Sequence, residues 1–121
     1  MANEINIQAT LTVQKFSPPV QGFGVKDINQ TNAGAITNIQ NLSTATLQQL
    51  NLGGMMTNVG YLFVKNLDQT NNALLTLDSA NAQVFALLRP NEFCLVPVNQ
   101  NTIYGKSSAS TVNVLICAAQ I

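Results

Sequence analysis

The chain has 121 residues, about the usual size of one domain, and 46% of them are hydrophobic, which is enough to build a core. Only ten residues are charged, five of each sign, whereas Asn and Gln together number 27 and there is no His or Trp. Zero net charge argues against capture of nucleic acid or of a membrane surface, and the shortage of titratable groups argues against catalysis.

The first predicted element is a strand near the N-terminus. Polar residues there alternate with the apolar residues Ile5, Ile7, Ala9, Leu11 and Val13. A period of two is typical of a strand with one buried and one wet face. The prolines Pro18 and Pro19 would end this strand, because proline cannot continue a ladder of backbone hydrogen bonds.

Two more strands are expected between Phe23 and Leu42, on either side of a polar turn at Asn29 to Gly34. The next segment, Thr44 to Leu52, has two interpretations. Leucines three residues apart and two following glycines fit a short helix with a C-cap, but a short strand is favoured.

From Val59 onward, apolar segments and turn residues follow one another regularly. The expected strands cover residues 60–65, 73–78, 83–89, 93–98, 102–106 and 111–118. Pro90-Asn91 has the composition of a tight turn. This spacing indicates an antiparallel β-sandwich or barrel. The favoured prediction is an all-β fold, a single antiparallel β-sandwich that is jelly-roll-like, with about eight or nine short strands. No linker divides the chain, so one β-sandwich domain is expected over residues 1–121.

The two cysteines, Cys94 and Cys117, stand in apolar surroundings and form no C-x-x-C pair. Without His or a carboxylate cluster, neither a metal site nor an activated nucleophilic cysteine is expected. Both are expected to be reduced core residues. A disulfide between strands is the minor alternative, because a cytoplasmic protein keeps its thiols reduced.

The remaining charged and aromatic residues suggest no reactive site. The carboxylates are scattered over turns and strand ends, which disfavours an acid–base pair. The loop 66–71 offers several oxygen atoms to a calcium ion, but an Asx-rich turn is favoured. Five aromatic residues are expected in the core and not as stacking platforms: Tyr61, Phe63, Phe85, Phe93 and Tyr104. No catalytic, cofactor-binding or metal-binding residue is predicted.

Three segments resemble a pattern in small virion proteins of tailed bacteriophages. The first is the strand and turn Gly60-Tyr-Leu-Phe-Val-Lys-Asn-Leu-Asp-Gln-Thr-Asn71. The second is a Leu-x-Pro-x-Glu hairpin at Leu88 to Glu92. The third is Tyr104-Gly-Lys106, which precedes the apolar strand Val112 to Ile116. The resemblance lies between Asn41 and the C-terminus and leaves the segment before it unsupported.

Some of these virion proteins are capsid cement or decoration proteins, β-sandwiches that lie on the outer shell and clamp major capsid subunits. The resemblance implies a non-enzymatic virion structural protein at the capsid surface, made in the host cytoplasm, which binds the major capsid protein and itself. A homodimer is favoured over a trimer, and no cofactor, nucleic acid or membrane is implied. Neutral, amide-rich faces suit contacts whose strength depends little on salt.

The N-terminal segment, residues 1–20, is the candidate arm that contacts a neighbour. The predicted partner-binding residues are Ile5, Ile7, Leu11, Val13, Phe16, Pro18 and Pro19. The alternative is that this segment is an ordinary strand of the same sandwich.

Other functions stay open. A tail, neck or fibre component of a phage fits the same resemblance. A carbohydrate-binding β-sandwich would need exposed aromatic residues, whereas five of the seven in this chain fit strand interiors. A small hydrolase is disfavoured because the catalytic groups are missing.

Overall fold

The structure is a computed structural model that describes residues 5–15, 17–30, 34–53, 59–79, 83–100 and 102–120. These residues form ten β-strands, and every pairing between strands is antiparallel. The predicted all-β antiparallel fold is confirmed. Within the described residues, no helix is long and apolar enough to span a bilayer. The chain divides into two compact units, Met1–Thr31 and Asn32–Ile121.

The first unit contains a β-hairpin. Strands β1 (Ile5–Val13) and β2 (Val20–Ile28) pair from Ile5 opposite Ile28 to Val13 opposite Val20. The predicted first strand is therefore confirmed. A two-stranded hairpin is marginally stable at best in water by itself, because it has no second layer to cover its apolar side chains.

The second unit contains eight strands. In chain order they are β3 (Ala35–Leu42), β4 (Gln48–Gln49), β5 (Val59–Asn66), β6 (Ala73–Thr76), β7 (Val84–Leu88), β8 (Phe93–Pro97), β9 (Tyr104–Ser107) and β10 (Val112–Gln120). The first sheet has the order β3-β10-β5-β8, and the second sheet has the order β4-β9-β6-β7. The favoured interpretation of residues 44–52 as a strand is confirmed, although the strand has only two residues.

The pairing follows one rule. Strand β3 pairs with β10, β4 with β9, β5 with β8 and β6 with β7, so the two halves of the unit pair as the arms of one long folded hairpin. Eight strands in two sheets with this order form a jelly roll. The jelly-roll-like prediction is confirmed for this unit, while a single domain over residues 1–121 stays a prediction.

The core lies between the two sheets and is aliphatic. The first sheet contributes Leu62, Val64, Val114 and Ile116, all fully buried, and the second contributes Leu75. Where two sheets pack face to face, every second residue of a strand points into the core. Leu62 and Val64 on β5, and Val114 and Ile116 on β10, follow this alternation. Burial of these branched side chains supplies the main stabilisation of the unit.

The expected aromatic core is wrong. Tyr61, Phe63 and Tyr104 are half-buried, and Phe85 and Phe93 are exposed. The reason is that β5 is apolar on both faces, so its hydrophobic pattern does not reveal which face points inward. The alternation places the leucine and valine of β5 inside and its tyrosine and phenylalanine outside.

The expectation of two core cysteines is right for one and wrong for the other. Cys94 is half-buried and packs against the core, whereas Cys117 is exposed, and both are free. In β10 the neighbours Ile116 and Ala118 are buried, and the alternation of a strand therefore turns Cys117 outward.

The turn predicted at Pro90-Asn91 is confirmed. The backbone N–H of Glu92 donates to the carbonyl oxygen of Arg89 at 2.9 Å, and Asn91 has a φ of 65°. Proline followed by a residue with positive φ is the pattern of a type II turn. The Glu92 carboxylate also accepts a hydrogen bond from the Arg89 N–H at 2.8 Å, which fixes the connection between β7 and β8.

Candidate interaction surface

The register of the β1–β2 hairpin sorts its side chains onto two faces, because residues directly opposite each other point the same way. One of them, the apolar hairpin face, comprises Ile5, Ile7, Ala9, Leu11, Val13, Val20, Gly22, Gly24, Lys26 and Ile28. Its single charge belongs to Lys26, which stands opposite Ile7. This face is a nearly continuous apolar strip.

Most of the apolar hairpin face is open to solvent, and its half-buried residues are Ile5, Ile7, Val13 and Ile28. Leu11 is 69% exposed and Val20 is 56% exposed. None of the described residues of β1 and β2 is buried. The expectation that one face of β1 is buried is therefore wrong. The alternation identifies the strand correctly, but it carries no information on what covers the strand.

Two glycines form a bare patch in the middle of this face. Gly22 stands opposite Leu11, and Gly24 stands opposite Ala9. A Cβ added at either glycine would meet no atom within 4 Å, and neither glycine has a positive φ. Neither packing within the chain nor backbone conformation therefore demands glycine here. In strands, glycine often marks a place where another backbone approaches closely.

The opposite face of the hairpin is more polar. Asn6 Nδ2 donates to Asp27 Oδ1, and Gln8 Nε2 donates to Asn6 Oδ1 at 3.1 Å. Two apolar side chains interrupt this polar row: Phe23 is 72% exposed and Val25 is 51% exposed. The two faces therefore differ in chemistry, and the apolar hairpin face is the stronger candidate for a contact.

The predicted partner-binding residues fall into three groups. Ile5, Ile7, Leu11 and Val13 come together on the apolar hairpin face. The prolines Pro18 and Pro19 are exposed and lie in the connection between β1 and β2. Phe16 lies outside the described residues.

Strand β2 also contributes to the apolar hairpin face, although its sequence did not predict that contribution. Val20 and Ile28 lie on the apolar hairpin face together with Gly22 and Gly24. Val20, Gly22, Gly24, Lys26 and Ile28 are spaced two residues apart. The two glycines and Lys26 lower the mean hydropathy of the segment, so the sequence pattern of an apolar face is weak. An alternation of valine, glycine and isoleucine was the available signal.

The loop considered as a calcium site uses its oxygen atoms internally. Asp68 Oδ2 accepts the backbone N–H of Thr70 at 2.9 Å and of Asn71 at 2.6 Å, which confirms an Asx-rich turn. These hydrogen bonds hold the pKa of Asp68 below its usual value. In the part of the chain that the structure describes, no three residues of the types His, Cys, Asp and Glu cluster to hold a metal ion.

One aromatic pair lies on the surface of the sandwich. Phe93 is 63% exposed, and its ring stacks on that of Phe63 with the centroids 5.7 Å apart and an angle of 27° between the ring planes. Lys65 stands directly opposite Phe93 in the first sheet. An exposed aromatic pair offers a rigid apolar contact to a ligand or partner.

Comparisons of this chain with protein-family models, with curated proteins and with solved structures found no match. Its function is therefore inferred from its own residues and fold.

Proposed function

We propose that this chain is a non-enzymatic virion structural protein, a capsid cement or decoration protein that stabilises the outer shell by bridging major capsid subunits. The observation that carries the proposal is the exposed apolar hairpin face with its two glycines. This face is the surface that would bind a shell subunit.

The glycines are the most specific support. If the hairpin stayed in water, a β-branched residue at Gly22 or Gly24 would stabilise the strand better than glycine does. There is room for such a side chain, because no atom lies within 4 Å of the position of the added Cβ. Glycine at these positions therefore fits a shallow recess that a neighbouring subunit fills.

Composition and fold agree with this role. Jelly rolls occur among viral capsid proteins and also among lectins, so the fold by itself does not decide between them. The surface depends on amides and hydroxyls, with charged residues making up 8% of the chain. Contacts made through such a surface change little with salt, unlike ion pairs between exposed side chains.

The mechanism is burial of the apolar hairpin face against a shell subunit. Fully burying a side chain such as Leu11 contributes about 1.5–3 kcal/mol. Ordering the hairpin on binding costs part of that gain, so a single contact is modest. A shell presents the same surface many times, and linkage between copies raises the overall affinity without any new kind of contact.

The test compares two variants for binding to shells purified from particles that lack this protein. The double variant Gly22→Thr/Gly24→Thr fills the recess, whereas the matched control Gln21→Thr adds the same residue type to the opposite face of β2. We expect the wild type and the control to sediment with shells and to raise the temperature at which shells break. The double variant should bind at least about tenfold more weakly.

Two results would reject the cement role. The first is that wild-type protein neither binds the shells nor changes their heat resistance. The second is that the double variant binds as tightly as the wild type, since the recess then contributes nothing to the contact.

Two alternatives share part of this support. A tail, neck or fibre component would use the same hairpin, and gold labelling of the protein on whole particles would locate it away from the shell.

A carbohydrate-binding module is favoured only by the exposed Phe93. Binding to a glycan array that Phe93→Ala abolishes would support that module, while the hairpin variants should leave it unchanged.

A further inference from the structure

The first sheet of the jelly roll has an outer face that is largely apolar over most of its length. Its inner face is formed by core residues such as Val64 and Ile116, so the residues between them point outward. The strand register arranges twelve of these outward residues in three rows across β3, β10, β5 and β8, and beyond the first row Asn41 stands opposite Asn113. We call the three rows together the outer sheet face.

Each row holds four side chains. The first row comprises Ile39, Leu115, Lys65 and Phe93. The middle row comprises Thr37, Cys117, Phe63 and Leu95. The third row comprises Ala35, Ala119, Tyr61 and Pro97.

The exposure of this face is high at its two sides. Ile39 on β3 and Phe93 on β8 are each 63% exposed, and Cys117 in the middle row is exposed as well. The only charged residue among the twelve is Lys65. Antiparallel sheets that face water normally carry polar residues on that side, so this face has the composition of a contact surface.

The size of the face suits a protein contact. Four strands about 4.8 Å apart and three rows about 6.8 Å apart cover a flat area of roughly 400 Å². A stable interface of standard size takes about 800 Å² of accessible surface from each partner, so a face of roughly 400 Å² fits a small and weak contact between copies.

The bulk of the side chains is distributed unevenly along the strands. On three of the four strands the first row carries the larger residue and the third row the smaller one: Ile39 and Ala35, Leu115 and Ala119, and Phe93 and Pro97. On β5 the two residues are Lys65 and Tyr61. Consider two copies packed face to face, related by a two-fold axis that lies between them and runs across the strands along the middle rows. This axis places the first row of one copy over the third row of the other.

We propose that a second copy of this chain packs on the outer sheet face in a two-fold dimer, with large residues of the first row seated on small residues of the third row. In this arrangement Ile39 lies over Ala35 of the second copy, and Leu115 lies over Ala119 of the second copy. Self-complementarity of this kind is what an isologous two-fold interface requires. Two packed sheets lie about 10 Å apart, with their strands within about 30° of each other.

The charges are compatible with this packing. The rotation places Lys65 over Tyr61 of the second copy, where the ammonium group can lie against the aromatic ring. The two Lys65 residues are then two row spacings apart along the strands and one sheet spacing apart, roughly 17 Å. That separation exceeds the Debye length of about 8 Å at physiological salt, so repulsion between them is weak.

The first test measures self-association of the purified full chain by analytical ultracentrifugation. We expect a concentration-dependent dimer, and Ile39→Lys should weaken it at least about tenfold because the new charge would be buried against an alanine. The matched control is Leu87→Lys, since Leu87 is 45% exposed and belongs to the second sheet. This control should leave the dimer unchanged.

The second test checks the orientation of the two-fold axis. Combining Ile39→Lys with Ala35→Glu in one chain should restore the dimer, because each introduced ammonium would face an introduced carboxylate of the other copy. The two positions are four residues apart on one strand, about 14 Å, which is too far for an ion pair within one copy. Loss of dimerisation in Ile39→Lys without restoration in the double variant would contradict the proposed axis.

The third test uses the native thiols. Cys117 lies in the middle row, so the two copies present it to each other across the axis. A bismaleimide that spans about the 10 Å between packed sheets should cross-link the dimer. Cross-linking should survive Cys94→Ser, because Cys94 faces the core, and should disappear in Cys117→Ser.

The proposal is overturned if the chain stays monomeric at every concentration tested, or if it forms a dimer that Ile39→Lys leaves intact. In the first case the occupant is not a second copy, and in the second case the copies meet through another surface. All three tests use the chain without shells, so their outcome is independent of the test of the proposed function.

Discussion

Asn66 Nδ2 donates a hydrogen bond to the carbonyl oxygen of Leu88, 3.0 Å away, and this bond joins β5 of one sheet to β7 of the other. The same Nδ2 atom donates to the carbonyl oxygen of Asn71 at 2.8 Å, and Asn66 Oδ1 accepts the backbone N–H of Asp68 at 2.9 Å. Asn66 has no exposed surface. Both ends of its amide are thus satisfied inside the sandwich, where an unpaired polar group would be costly.

Replacing this amide with an apolar side chain of similar size should destabilise the protein strongly. Asn66→Leu removes three hydrogen bonds and leaves the carbonyl of Leu88 without the amide donor, so we expect a loss of about 2–4 kcal/mol in the free energy of unfolding. Urea denaturation followed by circular dichroism measures it. The control Asn113→Leu removes an exposed acceptor of Asn41 and should change stability by about 1 kcal/mol or less. Equal effects of the two variants would contradict the role of Asn66.

The lowered pKa of Asp68 predicts a specific loss of stability in acid. Hydrogen bonds from the backbone N–H groups of Asn71 and Thr70 favour the charged carboxylate in the folded state, so the unfolded state binds a proton more readily. The charged Asp68 carboxylate should stabilise the folded state fully at pH values above its unfolded pKa of about 4. This stabilisation should be lost as the pH falls through the lower pKa that Asp68 has in the folded state. The difference in unfolding free energy between the wild type and Asp68→Asn should therefore shrink below about pH 4. A difference that stays constant from neutral to acid pH would contradict this.

The two thiols should react at very different rates. Burial raises the pKa of the Cys94 thiol, an effect that a hydrogen bond with the Val64 backbone partly offsets, and the side chain packs against the core. Cys117 is exposed. In dilute protein at about pH 8, an aromatic disulfide reagent should label Cys117 at least about tenfold faster than Cys94. Cys117→Ser should remove the fast phase and Cys94→Ser the slow one, whereas two equal phases would be inconsistent with the structure.

Glycines on the two units should differ in their tolerance of a larger side chain. A Cβ at Gly105 would lie 3.0 Å from Leu42 Cδ1 and 3.3 Å from Leu75 Cδ2, between the sheets. Gly105→Val should cost about 1–3 kcal/mol by overpacking the core. Gly22→Val meets no atom within 4 Å and should leave the free chain as stable as the wild type or up to about 1 kcal/mol more stable. Differential scanning calorimetry compares them, and an equal loss at Gly22 would show that its surroundings are occupied in the free chain.

Much of the fold could be predicted from the sequence because strands and turns are local features. The alternation that begins at Ile5 predicts β1, although the strand ends at Val13 and not at the prolines, and Pro90-Asn91 predicts the turn between β7 and β8. The regular spacing of short strands predicts an antiparallel sandwich or barrel, and the observed strand order identifies the jelly roll. The two units of the chain do not follow from the sequence, because the pairing of β1 with β2 depends on a register that Gly22 and Gly24 conceal.

The candidate surfaces were harder to predict because exposure is not a local property. The alternation in β1 predicts a buried face, yet Leu11 is 69% exposed, since nothing in the pattern specifies a covering layer. In β5 both faces are apolar, so the sequence could not show that Phe63 points outward and Leu62 inward. Both errors underestimated the apolar surface that this chain exposes.

We propose that this protein binds neighbours on a virus shell through its exposed apolar faces. An electron cryo-microscopy reconstruction of a virion that contains the chain would decide this. We expect the jelly roll at symmetry-related positions on the shell, with Leu11, Gly22 and Gly24 in contact with a capsid subunit. A reconstruction in which the shell carries no such density, or in which these three residues face solvent, would contradict the account.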